Sequence, residues 1–334
     1  MGGARAATNL FFNACLEIGP LENMASFASF RNALLDPVLG VYHWRALHGR
    51  TALFNQYCRQ ALAAGIDRLY YVLSFDCDAP EDIEAAMSLH QKLLRIGVHC
   101  AYAVPGELLE RGAKVYREIA ESGAEFLNHG YRQHVSWDAG QNCYSSLYFY
   151  DRLSYTEILE DIRLGDLAIR HILGRRARGF RTPHFGTFQR PSQLRLLHSI
   201  LRRLGYQFSS STTPYLGFRS GPVFSRFGLP EFPVSGMFTY PLRILDSWGC
   251  CEAPQRNMTM ENYLEESRRM TVALTSAGQA GIANFYVDPR HVEQEPLFIE
   301  AVERWLEVAE STTYSRILAS CCSNQAESAV GVAC

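Results

Sequence analysis

The sequence predicts an α/β protein in which strands and helices alternate around a parallel sheet, closed or open. Two observations carry this. From Arg68 to Ala309, short apolar, β-branched and aromatic runs alternate with amphipathic stretches of helical period. At the C-terminal ends of these runs stand chemistry-bearing residues: Asp76 and Asp78, His129, Arg181, and Asp288. Parallel α/β sheets collect their chemistry at that edge.

In chain order, residues 1–66 read as a helical extension, amphipathic over 31–39 and 51–64. The run from Tyr70 to Asp78 reads as a buried strand ending in two acids. Alternation along a strand points Asp76 and Asp78 the same way. Like charges so placed repel unless a cation or a split in pKa holds them; a solvated helix-capping Asp is the plainer account. A helix over 81–96 buries Ile83, Met87 and Leu94, with His90 as a packed histidine. Strands follow at 98–104 and 124–129, separated by a helix over 107–121. The loop 130–153, rich in Tyr, Ser and Asn, is too long for a plain connector, and such loops are functional or disordered. Helix 155–173, strand 179–181, helix 191–204, strands 207–211, 229–234 and 281–287, and an outer helix 293–309 complete the pattern. Residues 313–334 read as a disordered tail.

The 334 residues have room for one large domain and an appendage. A net charge of -2 offers nucleic acid or an anionic membrane no electrostatic attraction. No apolar window is long enough to span a membrane, and Asn9, Asn13 and Glu17 interrupt any signal-peptide core. The ten cysteines lack paired C-x-x-C spacing, which points to reduced thiols in a cytoplasmic protein. Neither a G-x-S-x-G elbow nor a phosphate-binding glycine loop is present.

His129 and His134 lie five apart at a strand end and in the loop after it. A lone loop histidine is more often a surface group. Two of them with one strand-one carboxylate make the two-His-one-carboxylate set of catalytic metals. Arg181, before the rigid Thr182-Pro183 turn, can hold a catalytic carboxylate ionised; flanking Phe180 and Phe185 favour a buried position over a surface one. Asp246-Ser247-Trp248 fits a sugar-binding groove or a core Trp in a turn equally well. Asp288 and His291 at the last strand suit a general acid and its partner, or helix capping by Asp288.

In this order the motifs, from about Arg68 to Glu310, resemble the polysaccharide deacetylase family, the NodB-homology domain of carbohydrate esterase family four. Ser74 to Asp78 corresponds to its acidic strand end and Asn128 to His134 to its two-histidine motif. Arg181-Thr182-Pro183, Asp246-Ser247-Trp248 and Asp288 to His291 correspond to its later motifs. Three departures mark a variant. Cys77 stands where a second adjacent acid is common, giving an Asp-x-Asp form similar to the allantoinase-like and cytoplasmic branches. The histidine spacing is one residue longer than usual, and His291 lies three residues beyond Asp288.

The resemblance implies a distorted (β/α) barrel of about seven parallel strands, here over 67–312, and metal-dependent hydrolysis of amide groups on sugars. It implies Asp76 as general base held by Arg181, and Asp78, His129 and His134 as ligands of a divalent ion, most readily Zn2+. His291 or Asp288 would protonate the leaving amine. Tyr131, His184, Asp246 and Trp248 would contact substrate, with Tyr144 and Tyr148 as further wall residues. The expected substrate is a small or carrier-linked acetylated amino sugar, with no nucleic acid, no membrane span, and a homo-oligomer as an open state. The rivals are another C–N hydrolase of the fold, deformylase or allantoinase-like, and a non-catalytic carbohydrate-binding relative.

Overall fold

The computed structural model describes residues 37–140, 142–253 and 256–321. Nine strands occur among them: β1 (Leu69–Asp76), β2 (Cys100–Val104), β3 (Glu125–Asn128), β4 (Val135–Asp138), β5 (Cys143–Ser146), β6 (Gly179–Phe180), β7 (Phe208–Ser209), β8 (Gly281–Val287) and β9 (Glu310–Ser311). The main sheet runs β7-β6-β3-β2-β1-β8, every pair parallel, with β9 beside the start of β1 where β2 does not reach. It curls into a half-barrel with helices outside.

The period of two along β1 sorts its side chains between two packed layers. Tyr71, Leu73, Phe75 and Cys77 face the helices, in one cluster with Trp305 and Leu89. Val72 faces inward among Ala101, Leu127, Phe208, Phe232 and Tyr314. Ser74 and Asp76 continue that inner row, so the barrel is apolar at its floor and polar toward its mouth. Both layers are buried, as a parallel sheet requires.

The stretch 229–234 does not form the regular strand expected. Its 230–235 backbone nevertheless fills the gap between β7 and β8. Ser209 N donates to Pro230 O (2.9 Å), Phe232 N to Ser209 O (2.8 Å) and Ser235 N to Asn284 O (2.7 Å). Pro230 and Pro233 have no N–H to give, which breaks the ladder. The loop after β3 contains the antiparallel hairpin β4–β5, which the sequence pattern did not reveal.

Within the expected extension, helices Pro37–His48 and Arg50–Ala63 pack against the barrel, and Tyr57 Oη donates to Ile282 O at the start of β8 (2.7 Å). Residues 1–36 of it lie outside the described residues. The expectation of a disordered tail needs correction over 313–321. Residues 314–321 are helical, and Tyr314 and Ile317 are fully buried against the barrel floor. The spacing Tyr314, Ile317, Leu318 is itself an apolar helical stripe. The remaining tail, 322–334, lies outside the described residues.

Candidate metal centre

Two structural devices bring the candidate ligands together. Asp78 follows β1 on the inward side. His129 follows β3, where Asn128 ties down the turn: its Oδ1 accepts from Gly130 N (2.9 Å), and its Nδ2 donates to Ile162 O (2.8 Å) and Tyr206 Oη (2.6 Å). Gly130 takes φ 80°, a conformation glycine adopts without strain. His134 comes from the following loop.

Asp78 Oδ1 lies 3.4 Å from His129 Nε2 and 3.4 Å from His134 Nδ1. Among the described residues, this is the one set of three His, Cys, Asp or Glu side chains whose ligand atoms converge within 4.8 Å. The spacing fits an ion. Ligand bonds of about 2.0–2.2 Å in tetrahedral array put neighbouring ligand atoms roughly 3.4 Å apart, longer than an ordinary hydrogen bond. His129 Nδ1 donates to Arg181 O (2.8 Å), which fixes the tautomer and leaves Nε2 free to ligate. His134 Nε2 is buried with no hydrogen-bond partner. Burial opposes the Asp78 charge, but the His129 and His134 hydrogen bonds outweigh it and hold the carboxyl well below its usual range.

Asp76 stands beside this set. Its Oδ1 accepts from Arg181 Nη1 (2.5 Å), and its Oδ2 lies 3.9 Å from His129 Nε2. Arg181 is fully buried, as the flanking phenylalanines suggested. Burial pushes the Asp76 carboxyl above its ordinary value, with Arg181 and His129 pulling the other way. A cation at the ligands would add to that pull.

On β8, Phe75 pairs with Val287, so Asp288 leaves the sheet next to Asp76. Asp288 is 2% exposed, and burial drives its carboxyl well above the normal range against Arg290, with Asp82, Asp78 and Asp76 adding to the rise. It is therefore suited to keep its proton. His291 is held elsewhere. Its Nε2 meets Glu252 Oε1 and its Nδ1 meets Ser247 Oγ, both at 3.1 Å, and Asp288 Oδ2 is 3.6 Å from Nδ1.

His184 adopts φ 54°, and its ring meets that of His134 edge-on at 5.8 Å; its Nε2 donates to Leu147 O (2.5 Å). Burial and His134 push it down to about 4, so it is neutral at physiological pH. Trp248 lies on the Asp288 side, 6.3 Å from the His291 ring. Two expected substrate contacts are placed otherwise. Tyr131 packs on Gly106 and bonds Glu110 (3.2 Å). Asp246 is buried, its oxygens taken by Arg256 (3.0 and 3.2 Å), Gly249 N (2.7 Å) and Tyr286 Oη (3.1 Å). Tyr144 bonds Glu81 and lies under Arg290, and Tyr148 packs under Arg132. Residues around the site that sequence reasoning missed include Ser74, Ser210 and Tyr314 on Arg181, and Asp82, Glu252 and Arg290 around Asp288.

A curled parallel sheet with acids, imidazoles and a buried arginine along its C-terminal edge is the NodB-type half-barrel. Residues 68–209 match the polysaccharide deacetylase family model. A Mycobacterium smegmatis protein assigned as a polysaccharide deacetylase superposes with a TM-score of 0.57 at 18% identity, covering 78% of this chain and 92% of its own. One from Pseudomonas aeruginosa PAO1 gives 0.55 at 13% identity, covering 75% and 89%. An allantoinase gives 0.54 at 12%, also covering 75% and 89%. At these identities the likeness is one of fold. No curated protein matches the chain. Among the described residues no helix is long and apolar enough to cross a membrane.

Proposed function

We propose that the chain is a metal-dependent amide hydrolase that removes the acetyl group from an acetylated amino sugar. The observation that carries this is the convergence of Asp78, His129 and His134 beside the Asp76–Arg181 pair. Those three side chains would hold a divalent ion, most readily zinc. Such an ion supplies a Lewis acid and brings the pKa of a bound water to about 7.

The chain's own residues supply the proton transfers. Asp76, its Oδ1 fixed by Arg181, takes the proton of the attacking water through Oδ2. Asp288 then gives a proton to the leaving amine. Its buried, proton-retaining carboxyl suits that work better than His291, both of whose ring nitrogens are engaged. Neutral His184, beside His134, and Trp248, beside His291, would contact the sugar. The buried free thiols of Cys58, Cys77 and Cys100 suit a reducing compartment, and we read the enzyme as cytoplasmic with a soluble substrate. The Asp-x-Asp spacing keeps an allantoinase-like activity as the second reading.

Metal analysis and a substrate panel test the proposal. We expect about one zinc per chain, lost in Asp78→Ala and His129→Ala, and acetate release from N-acetylglucosamine or its oligomers. Asp76→Asn should keep the metal and lose turnover by about 10²–10⁴-fold. Ring opening of allantoin to allantoate, or formate from formyl amides, would move the reading to the other C–N hydrolases. Full metal content in Asp78→Ala, or stoichiometric zinc with no turnover on the panel, would overturn it.

A further inference from the structure

We propose that Tyr314, on the C-terminal helix, is a positioning residue for the hydrolytic site: its hydroxyl holds the Arg181 guanidinium from below and so aims Nη1 at Asp76. The proposal rests on the hydrolase reading for its catalytic consequence, but not for the contact itself.

All five N–H groups of the buried Arg181 meet acceptors. Nε donates to Ser210 O (3.3 Å), Nη1 to Ser74 Oγ (2.8 Å) and Asp76 Oδ1 (2.5 Å), and Nη2 to Ser210 Oγ (3.1 Å) and Tyr314 Oη (2.7 Å). A guanidinium is planar and rigid, so fixing Nη2 fixes the direction of Nη1. The Tyr314 hydroxyl is itself oriented. Its proton goes to Asn284 Oδ1 (2.7 Å), and the Asn284 amide cannot turn over because Nδ2 donates to Pro233 O (2.9 Å). Only a lone pair remains for Arg181. The Tyr314 ring is clamped separately, stacked on Phe208 at 5.3 Å and edge-on to Phe232 at 5.2 Å. Removing the hydroxyl therefore leaves the packing intact.

The test is Tyr314→Phe in the full chain. Rotation of a fully bonded guanidinium is slow, so wild-type Arg181 should give separate Nη resonances by NMR, which merge in the variant. With N-acetylglucosamine oligomers as probe, kcat should fall about tenfold with KM and zinc content unchanged. In an Arg181→Met background the same substitution should cost nothing further. If Tyr314→Phe does not fold, Asn284→Ala, which frees the hydroxyl to turn, should give the same signs in smaller measure. Unchanged Nη resonances, an equal fall in kcat in both backgrounds, or a rise in KM would overturn the proposal. If wild type hydrolyses none of the probes, the hydrolase reading fails, and the resonances alone decide whether Tyr314 holds Arg181.

Discussion

Glu231 has no exposed surface, and its oxygens are met by His198 Nε2 at 3.0 Å, Ser211 N at 2.6 Å and Thr212 Oγ1 at 3.1 Å. Burial pushes its pKa up, but the His198 and Ser211 hydrogen bonds more than reverse that and leave it below the ordinary value. A depressed acid contributes stability above its unfolded pKa that is lost as pH falls through the folded one. Ser211 Oγ in turn accepts from Thr182 N (2.9 Å), so the pair braces the turn that carries Arg181. His198→Leu strands the carboxylate and should cost about 3–5 kcal/mol at neutral pH, read by urea unfolding. A loss below about 1 kcal/mol would mean that the carboxylate finds water or another donor. At this scale the sequence was legible where a residue's place follows from strand period. Asp76, Asp78, His129 and Arg181 each end a strand of a parallel sheet, and their convergence follows from that topology. Tyr314 and Glu231 were not legible, because their partners Arg181 and His198 lie 133 and 33 residues away and no periodicity records a contact.

The element that sets the histidine turn is the helix Tyr155–Leu173. Its ends could be read directly: Ser154 and Glu157 form a capping box, and Gly174 closes the helix in the left-handed conformation. Its fit to the sheet could not. A Cβ on Gly165 would come within 2.4 Å of Asn128 Oδ1 and 2.6 Å of Gly130 O, so the helix backbone lies directly against the turn that follows β3. Asp161, one turn earlier, takes the hydroxyl of Tyr150 (2.7 Å) and the Arg132 N–H (3.1 Å). Gly165→Ala should therefore cost about 1–3 kcal/mol rather than gain the usual helix propensity of alanine. It should also weaken metal binding at the proposed site, since the turn it displaces carries His129. Chelator competition beside thermal unfolding reads both; a stabilised variant with the wild type's metal affinity would show that the helix can move off the turn. The strand expected over 229–234 failed for a similar reason. The run is largely buried, but Pro230 and Pro233 decide which hydrogen bonds its backbone can make.

Across the whole molecule, one buried cation ties together parts of the chain far apart in sequence. Arg290 N and Nη1 bond Asp82 (3.0 and 2.7 Å), and Nη2 faces Asp288 at 3.0 Å and Glu252 at 3.7 Å. Asp82 also caps Ala79 N after β1 (2.8 Å), and Glu252 accepts from Tyr144 N of the β4–β5 hairpin (3.0 Å). One guanidinium thus joins the ends of β1 and β8, the segment around Trp248 and the hairpin over the mouth. Three carboxyls share it. Burial raises Asp82 to about 6 even with Arg290 opposing, and it raises Asp288 further. An acid whose folded pKa exceeds its unfolded value binds its proton more tightly when folded. Stability therefore falls as pH rises from the unfolded pKa through the folded one. In the native protein that decline for Asp82 is largely complete above about pH 6. Arg290→Gln removes the opposing charge, moves both pKa values upward, and extends the decline into the neutral and alkaline range. The variant should be close to native at about pH 5 and lose about 3–5 kcal/mol by about pH 8 in urea unfolding. On the proposed mechanism, with Asp288 as proton donor, turnover should fall with it, because Asp288 and the hairpin lose their common anchor. A loss of equal size at both pH values would show that Arg290 acts by packing alone, with its three carboxyl neighbours finding other partners.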